Sequence, residues 1–252
     1  MYFIMSNRYD MIRLIPQRGV WTEIGVYRGD FSQNVLEICN PSELVLIDSW
    51  AYDLAEHNPF PDISENYTAF LGKVHWEHFG DNPVTTQDDN YNFVKNRFAH
   101  DPRVKVVRNQ SYKAIMETPD GYFDVMYIDA NHTYDYVLRD MLEARPKLRP
   151  GGIMLLNDFY EGPDGFECNL GVMSAVNSFM KRYDYYYIAM THGPWGDVAL
   201  TDDPTSPFVK QFLANLMNSN LTFIGINDAV VPNTRYRHFR KSNGELRYVP
   251  ML

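Results

Sequence analysis

The sequence predicts a doubly wound α/β fold, a mostly parallel seven-stranded sheet whose last strand runs antiparallel. Three observations lead there. Short apolar runs alternate with segments of helical periodicity. The first five runs end at polar residues, as strands feeding a ligand crevice do. With 45% hydrophobic and 22% charged residues, the 252-residue chain can fill a proper core. No repeat or low-complexity linker interrupts it, so residues 1–252 read as a single domain.

The elements follow in order. Val20–Gly25 is a first strand, leading through Gly29 into a helix over Phe31–Ile38 with Phe31, Val35 and Ile38 on one side. Leu44–Ile47 is a second strand ending at Asp48, and Val104–Val107 a third. Phe123–Ile128 ends at Asp129. Tyr134–Arg145 then carries Val137, Leu138, Met141 and Leu142 at helical spacing. Pro150-Gly151-Gly152 turns into a fifth strand, Ile153–Leu156, which ends at Asn157-Asp158. Val172–Arg182 reads as a helix, Tyr185–Ala189 as a strand and Asp197–Thr201 as its hairpin partner. Residues 202–252 form a C-terminal extension. In it Arg235–Lys241 and Glu245–Val249 flank Ser242-Asn243-Gly244, a hairpin signal. Residues 231–252 hold five Lys/Arg and one Glu, a local charge of +4.

Residues 51–100 are long for a connection between the second and third strands, even with Asp88–Ala99 as a crossover helix. They hold eight acids, three bases, four of the seven histidines and many aromatic residues. Long connections in compact domains are commonly lids or binding loops, and this one reads as a substrate-binding lid.

Composition excludes several classes. Lys and Arg total 23 against 32 Asp and Glu, a net charge of −9 with a sequence pI near 5.2, the wrong balance for a nucleic-acid partner. No window approaches the ~18 apolar residues of a membrane span, and MYFIMSNRYD is too short an apolar run for a signal peptide. A cytoplasmic protein with no membrane partner is expected, with a homo-oligomer left open. Cys39 and Cys168 make neither a disulfide framework nor a metal spacing, and read as buried thiols in a reducing compartment.

The chemistry concentrates at strand ends. The first turn, Glu23-Ile24-Gly25-Val26-Tyr27-Arg28-Gly29-Asp30-Phe31-Ser32, has the form E-x-G-x-x-x-G rather than the dinucleotide fingerprint. An acid two residues before the first glycine would repel a pyrophosphate and suits a cationic amino acid. Asp48 can accept both hydroxyls of a ribose, in a nicotinamide nucleotide as well as another nucleoside. Asn109-Gln110-Ser111 place small polar groups after the third strand, where an adenine edge fits.

EIGVYRGDFS, the strand-end Asp48 and FDVMYIDANHTYDYVLRDMLEARPKLRPGGIMLLNDF together resemble the class I S-adenosylmethionine-dependent methyltransferases, which are Rossmann-like. More narrowly they are similar to the metal-assisted small-molecule O-methyltransferases, which include catechol-type enzymes and the sugar O-methyltransferases of macrolide and aminocoumarin pathways. The likeness covers roughly residues 20–50 and 104–200. It implies S-adenosylmethionine as cofactor, with Glu23, Gly25, Tyr27 and Gly29 around the methionine half and Ser32 and Asp129 in the same site. It puts Asp48 on the ribose, and Gln110 and Ser111 at the adenine.

The same resemblance implies a divalent ion, Mg²⁺ or Mn²⁺, on Asp129 and Asp158, a hard oxygen site. The third ligand departs from the pattern. Catechol-type enzymes have Asn after the second aspartate, where this chain has Phe159. Sugar-modifying relatives tend to have a further aspartate where this chain has Asn157, whose carbonyl oxygen could still serve. His132, at the position of the catechol-type lysine base, inherits the role of general base, for which an imidazole titrating near neutrality is suited. A metal-free site, with Asp129 touching the substrate, is the competing expectation.

His75-Trp76-Glu77-His78, with His57 or His100, lacks a zinc signature and reads as part of the lid. The N-x-S/T matches at Asn66, Asn109, Asn131 and Asn220 read as coincidence. The expected activity is methyl transfer to a hydroxyl of a small molecule or glycosyl unit, a sugar being favoured. The rivals are catechol or phenol O-methylation, metal-independent or N-methylation, and a non-catalytic nucleotide-binding module.

Overall fold

Parity along each apolar run decides which layer it feeds. On β2 (Val20–Ile24), β3 (Glu43–Asp48), β5 (Phe123–Ile128) and β6 (Leu148–Leu156), Ile24, Val45, Ile47, Met126, Ile128, Met154 and Leu156 enter one core layer. The alternate residues Trp21, Leu44, Leu46, Val125, Tyr127, Ile153 and Leu155 enter the other. A sheet covered on both faces has strands that read as continuous apolar runs, which is why these four were legible. The structure is a computed structural model and describes residues 1–51, 82–159, 171–192, 196–233, 235–240, 242 and 246–251.

The first layer is covered by α4 (Ser111–Glu117), α5 (Tyr134–Ala144) and α6 (Val172–Met180). The second is covered by α1 (Arg8–Ile12), α2 (Asp30–Cys39), α3 (Pro83–Arg97) and α7 (Pro207–Met217). The longer helices other than α3 offer the sheet an apolar stripe at helical spacing, such as Val137, Met141 and Ala144 of α5, whereas α3 buries Gln87 and Asn90 beside Val94. On α2, Phe31, Val35 and Cys39 lie on the buried side.

With β4 (Val104–Arg108), β7 (Tyr186–Thr191), β8 (Val198–Thr201), β1 (Tyr2–Ile4) and β9 (Phe223–Gly225), the sheet order is β4-β3-β2-β5-β6-β8-β7-β1-β9. β8 is antiparallel to β6 and β7, while β2 through β6 pair parallel to their neighbours in that block. The chain leaves β2 outward through β3 to β4, then returns to β5 on the other side of β2. That reversal is a topological switch point, where open sheets bind ligands beyond the carboxyl ends of their strands.

The expected seven strands are present, and β1 and β9 extend the sheet to nine. β1 pairs parallel with β7 and antiparallel with β9, and the Met1 ammonium lies 2.7 Å from an Asp228 carboxylate oxygen. Three-residue strands are too short to show alternation, so the sequence reading passed over both. It also passed over α7, although Ser206 caps it by accepting from the Val209 N–H at 3.1 Å and Pro207 stands in its first turn. The crossover helix α3 starts earlier than expected, at Pro83, behind the cap Asn82. Most of the expected lid, with His57, His75 and His78, lies outside the described residues, as does Cys168. The C-terminal hairpin forms as a separate two-stranded sheet, β10 (Arg235–Arg240) against β11 (Leu246–Met251).

Candidate active site

The ladder continues past the strand ends and brings their turns together. The Gly25 N–H donates to the Ile47 carbonyl, Asp129 to Ile24, Asn157 to Ile128 and Asn109 to Asp48. Gly25 has φ +88°, and a Cβ there would lie 2.0 Å from the Asp129 carbonyl oxygen. The expectation that this glycine makes room for a ligand is thus refined: it makes room for the turn after β5. Gly29 has φ +75° and caps α2, and its missing Cβ is where the Phe98 ring sits.

Glu23 is fully buried at the end of β2 and accepts a hydrogen bond from Ser32 Oγ at 2.5 Å. Burial pushes its carboxyl well above the usual range, against the pull of Ser32. Asp48 is committed to the backbone: its Oδ2 accepts from the Val26 and Tyr27 N–H at 2.8 and 2.9 Å, and Oδ1 from Trp50 at 2.8 Å. Burial still raises its pKa above the ordinary value, opposed by those three N–H groups. The Trp50 indole closes the same junction by donating to the Tyr27 carbonyl at 2.8 Å. A carboxylate has about four acceptor positions, so roughly one remains for a ribose hydroxyl. Tyr27, at φ 52°, is exposed.

Gln110 caps α4 with its backbone, and Ser111 Oγ donates to Asp140 Oδ1 on α5 at 2.7 Å. The Ser111 proton is therefore spent on packing α4 against α5 rather than offered to a base.

The acidic end lies beyond β5 and β6. His132 bridges the two predicted carboxylates, with Nε2 3.2 Å from Asp129 Oδ1 and Nδ1 3.3 Å from Asp158 Oδ2. A neutral imidazole has one donor and one acceptor, and only the imidazolium can donate to both. Asp158 has φ 58°, a strained backbone position for a non-glycine residue. Its pKa is pushed up to about 6, by burial first, with His132 opposing and Asp129 adding.

Asn157 does not turn its amide nitrogen to this pair. It donates to Asp197 Oδ1 at 2.7 Å. Asp197 is fully buried just before β8, and burial pushes its pKa up to about 7 against the pull of Arg8 and Asn157. Arg8, at the start of α1, reaches the same place, with Nη1 3.6 Å from Asp129 Oδ2 and Nε 3.9 Å from Asp197 Oδ1. Its guanidinium lies 5.9 Å from the centroid of the Phe31 ring, which stacks on Tyr127 at 4.0 Å. The sequence reading missed Arg8, Asp197 and Tyr127. The acid opening the apolar run DVALT was a usable signal for Asp197. Nothing local marks Arg8.

Among the described residues no three His, Cys, Asp or Glu side chains stand at metal-ligand spacing. The chemistry of the pair nevertheless suits a cation. Asp158 Oδ1 is buried with no hydrogen-bond partner among the described residues, and so is Asp197 Oδ2. A buried anionic oxygen without a donor is costly unless a cation or proton meets it. His100 is exposed in the turn after α3, and Cys39 is a buried free thiol whose pKa burial raises to about 12.

A strand order that reverses beside β2, an antiparallel β8 and an acid-glycine first turn accord with the class I S-adenosylmethionine-dependent methyltransferases. A family profile described as a methyltransferase domain matches residues 22–159, and the chain belongs to that family. Among solved structures, the O-methyltransferase NovP superposes with a TM-score of 0.51 at 16% identity, covering 77% of this chain and 78% of NovP. A spermidine synthase from Thermotoga maritima gives 0.48 at 15%, over 89% of this chain and 67% of the synthase. A putative methyltransferase from Streptococcus mutans, in complex with S-adenosylhomocysteine, gives 0.49 at 9%, over 78% and 98%. No curated protein sequence matches. The chain is a methyltransferase enzyme, and S-adenosylmethionine is its cofactor. Among the described residues no helix is long and apolar enough to cross a membrane.

Proposed function

We propose that the enzyme transfers the methyl group of S-adenosylmethionine to a hydroxyl of a small molecule or glycosyl unit, with His132 as general base. The observation behind this reading is the imidazole held between two strand-end carboxylates. As the acceptor oxygen attacks the sulfonium methyl in line, the carbon–sulfur bond breaks and S-adenosylhomocysteine leaves. The hydroxyl proton passes to His132. Asp129 and Asp158, at 3.2 and 3.3 Å, then stabilise the imidazolium, so the base gains strength as it takes the proton. The in-line geometry depends on the turns after β2 and β5 being locked together at Gly25.

A divalent cation such as Mg²⁺ or Mn²⁺ fits the same carboxylates. Asp129, Asp158 and the Asn157 carbonyl oxygen would hold it, and it would orient the acceptor hydroxyl and lower its pKa. The unpartnered Asp158 Oδ1 supports this reading. The metal-independent reading has its own support, since the Arg8 guanidinium already lies 3.6 Å from Asp129.

A sugar hydroxyl is favoured over a catechol because an Asn-Asp pair ends β6, close to the sugar-modifying pattern, and because the acidic, aromatic segment 51–100 suits a polar ring. NovP being an O-methyltransferase accords with a hydroxyl acceptor. The net charge of −9 argues against a nucleic-acid substrate, and a buried thiol at Cys39 suits a cytoplasmic setting. The test is a panel of sugars, nucleotide sugars, catechols and amines assayed for S-adenosylhomocysteine release. Turnover on hydroxyl acceptors supports the reading, and turnover on amines alone contradicts it.

A further inference from the structure

S-adenosylmethionine brings unlike charges to one site. Its sulfonium and ammonium suit carboxylates, and the switch point supplies them in Glu23, Asp129, Asp158 and Asp197. Its own carboxylate would be repelled by that set and needs a cation.

Three arginines stand at the strand ends. Arg28, in the turn after β2, is exposed, with its guanidinium 4.7 Å from the centroid of the Phe93 ring. Arg108, at the β4 edge, is already committed, donating to the Trp50 carbonyl at 2.7 Å and to Asp88 Oδ1 at 2.6 Å. Arg8 is different. Its side chain is only 18% exposed, and its two carboxylate contacts, at 3.6 and 3.9 Å, are longer than hydrogen bonds. Five N–H donors are thus held at the end of β5 without an acceptor at bonding distance among the described residues, a costly arrangement unless a ligand completes it.

The placement is also specific. Asn7 caps α1, accepting from the Tyr9 and Asp10 N–H groups at 2.9 and 3.3 Å, and fixes where Arg8 begins. β1, held between β7 and β9, anchors the segment before it. The guanidinium comes to rest near Phe31, in the first turn of α2, and beside Asp129. Both belong to the turns that flank the switch point.

We propose that Arg8 is a cofactor-binding residue that takes the carboxylate of the methionine half of S-adenosylmethionine, while Glu23 and Asp129 face its cationic groups. The inference rests on the cofactor alone and on neither the acceptor nor the metal. It also makes the N-terminal segment, which lies outside the matched residues 22–159, part of the site.

The test is calorimetric titration of the full chain with S-adenosylmethionine and with its decarboxylated analogue, which keeps the sulfonium and the amine. Arg8→Gln is expected to weaken S-adenosylmethionine by roughly ten- to a hundredfold, the worth of a charge-assisted pair. Arg8→Lys should recover part of that. Affinity for the decarboxylated analogue should stay within about twofold across all three proteins, a result that a merely structural arginine would not give. Equal losses for both ligands, or an unchanged S-adenosylmethionine affinity, overturn the proposal. Wild-type protein that binds neither ligand would overturn the cofactor assignment itself and this inference with it.

Discussion

Asn157 donates its side-chain amide to Oδ1 of Asp197 at 2.7 Å, tying the end of β6 to the start of β8. Both residues are buried, and the second Asp197 oxygen has no hydrogen-bond partner among the described residues. The acidic site therefore extends one strand further than the pair Asp129 and Asp158, and it does so through Asn157.

The Asp197 carboxyl sets a pH dependence. Its pKa of about 7 in the folded protein lies above the ordinary value, so between roughly pH 4 and 7 the native state holds a proton that the unfolded chain releases. Stability therefore falls as pH rises through that window. Asp197→Asn removes the effect while keeping an acceptor for Asn157. Its melting temperature should exceed that of wild type at pH 8, the added stability being on the order of a few kcal/mol at most, and match it near pH 4. An equal or lower melting temperature at pH 8 would contradict this.

Gly25→Ala should be severe, costing more than about 3 kcal/mol, because the new methyl would meet the Asp129 backbone. Gly121→Ala is the control. That glycine also has positive φ, at 64°, but nothing lies within 4 Å of a Cβ there, so the cost should be about 1 kcal/mol. Urea denaturation of the two variants checks the difference.

Asp48→Ala should weaken S-adenosylmethionine binding and also lower stability, since three backbone N–H groups lose their acceptor at a cost of roughly 1–3 kcal/mol each if they stay dry. Thermal melts alongside calorimetry separate the two effects. An unchanged melt with weaker binding would mean that water replaces the carboxylate freely. Unchanged binding would remove Asp48 from the cofactor site.

These variants also mark what the sequence made legible. Strands β2 to β6 were readable because each holds a short, mainly apolar run that leads to a polar residue, and Glu23, Asp129 and Asp158 stand at those ends, with His132 three residues past Asp129. The three-residue β1 and β9 leave no periodic trace. Arg8 is brought to Asp129 by pairing between residues far apart in sequence, which no local pattern encodes. Ser111 and Asp48 were correctly set at strand ends, but their hydrogen bonds to Asp140 and to three backbone amides appear only once α5 and the first turn are in place. Segment 51–100 remains an expectation over most of its length.

Chelation tests the cation. If Asp129 and Asp158 hold Mg²⁺ or Mn²⁺, EDTA should abolish turnover and added metal should restore it. Full activity in chelator would favour the metal-independent reading, with Asp129 a direct acceptor for the substrate hydroxyl.

The most direct test of the account is the pH profile of His132→Ala on a hydroxyl acceptor found in the panel. Cofactor affinity should be unchanged, because the cofactor contacts proposed lie on other residues. Turnover should fall by roughly 10²–10⁴, and the acidic limb of the wild-type profile should disappear, since a protonated imidazole cannot accept the hydroxyl proton. Near-normal turnover with the same acidic limb would contradict the account and leave His132 as a structural bridge between Asp129 and Asp158.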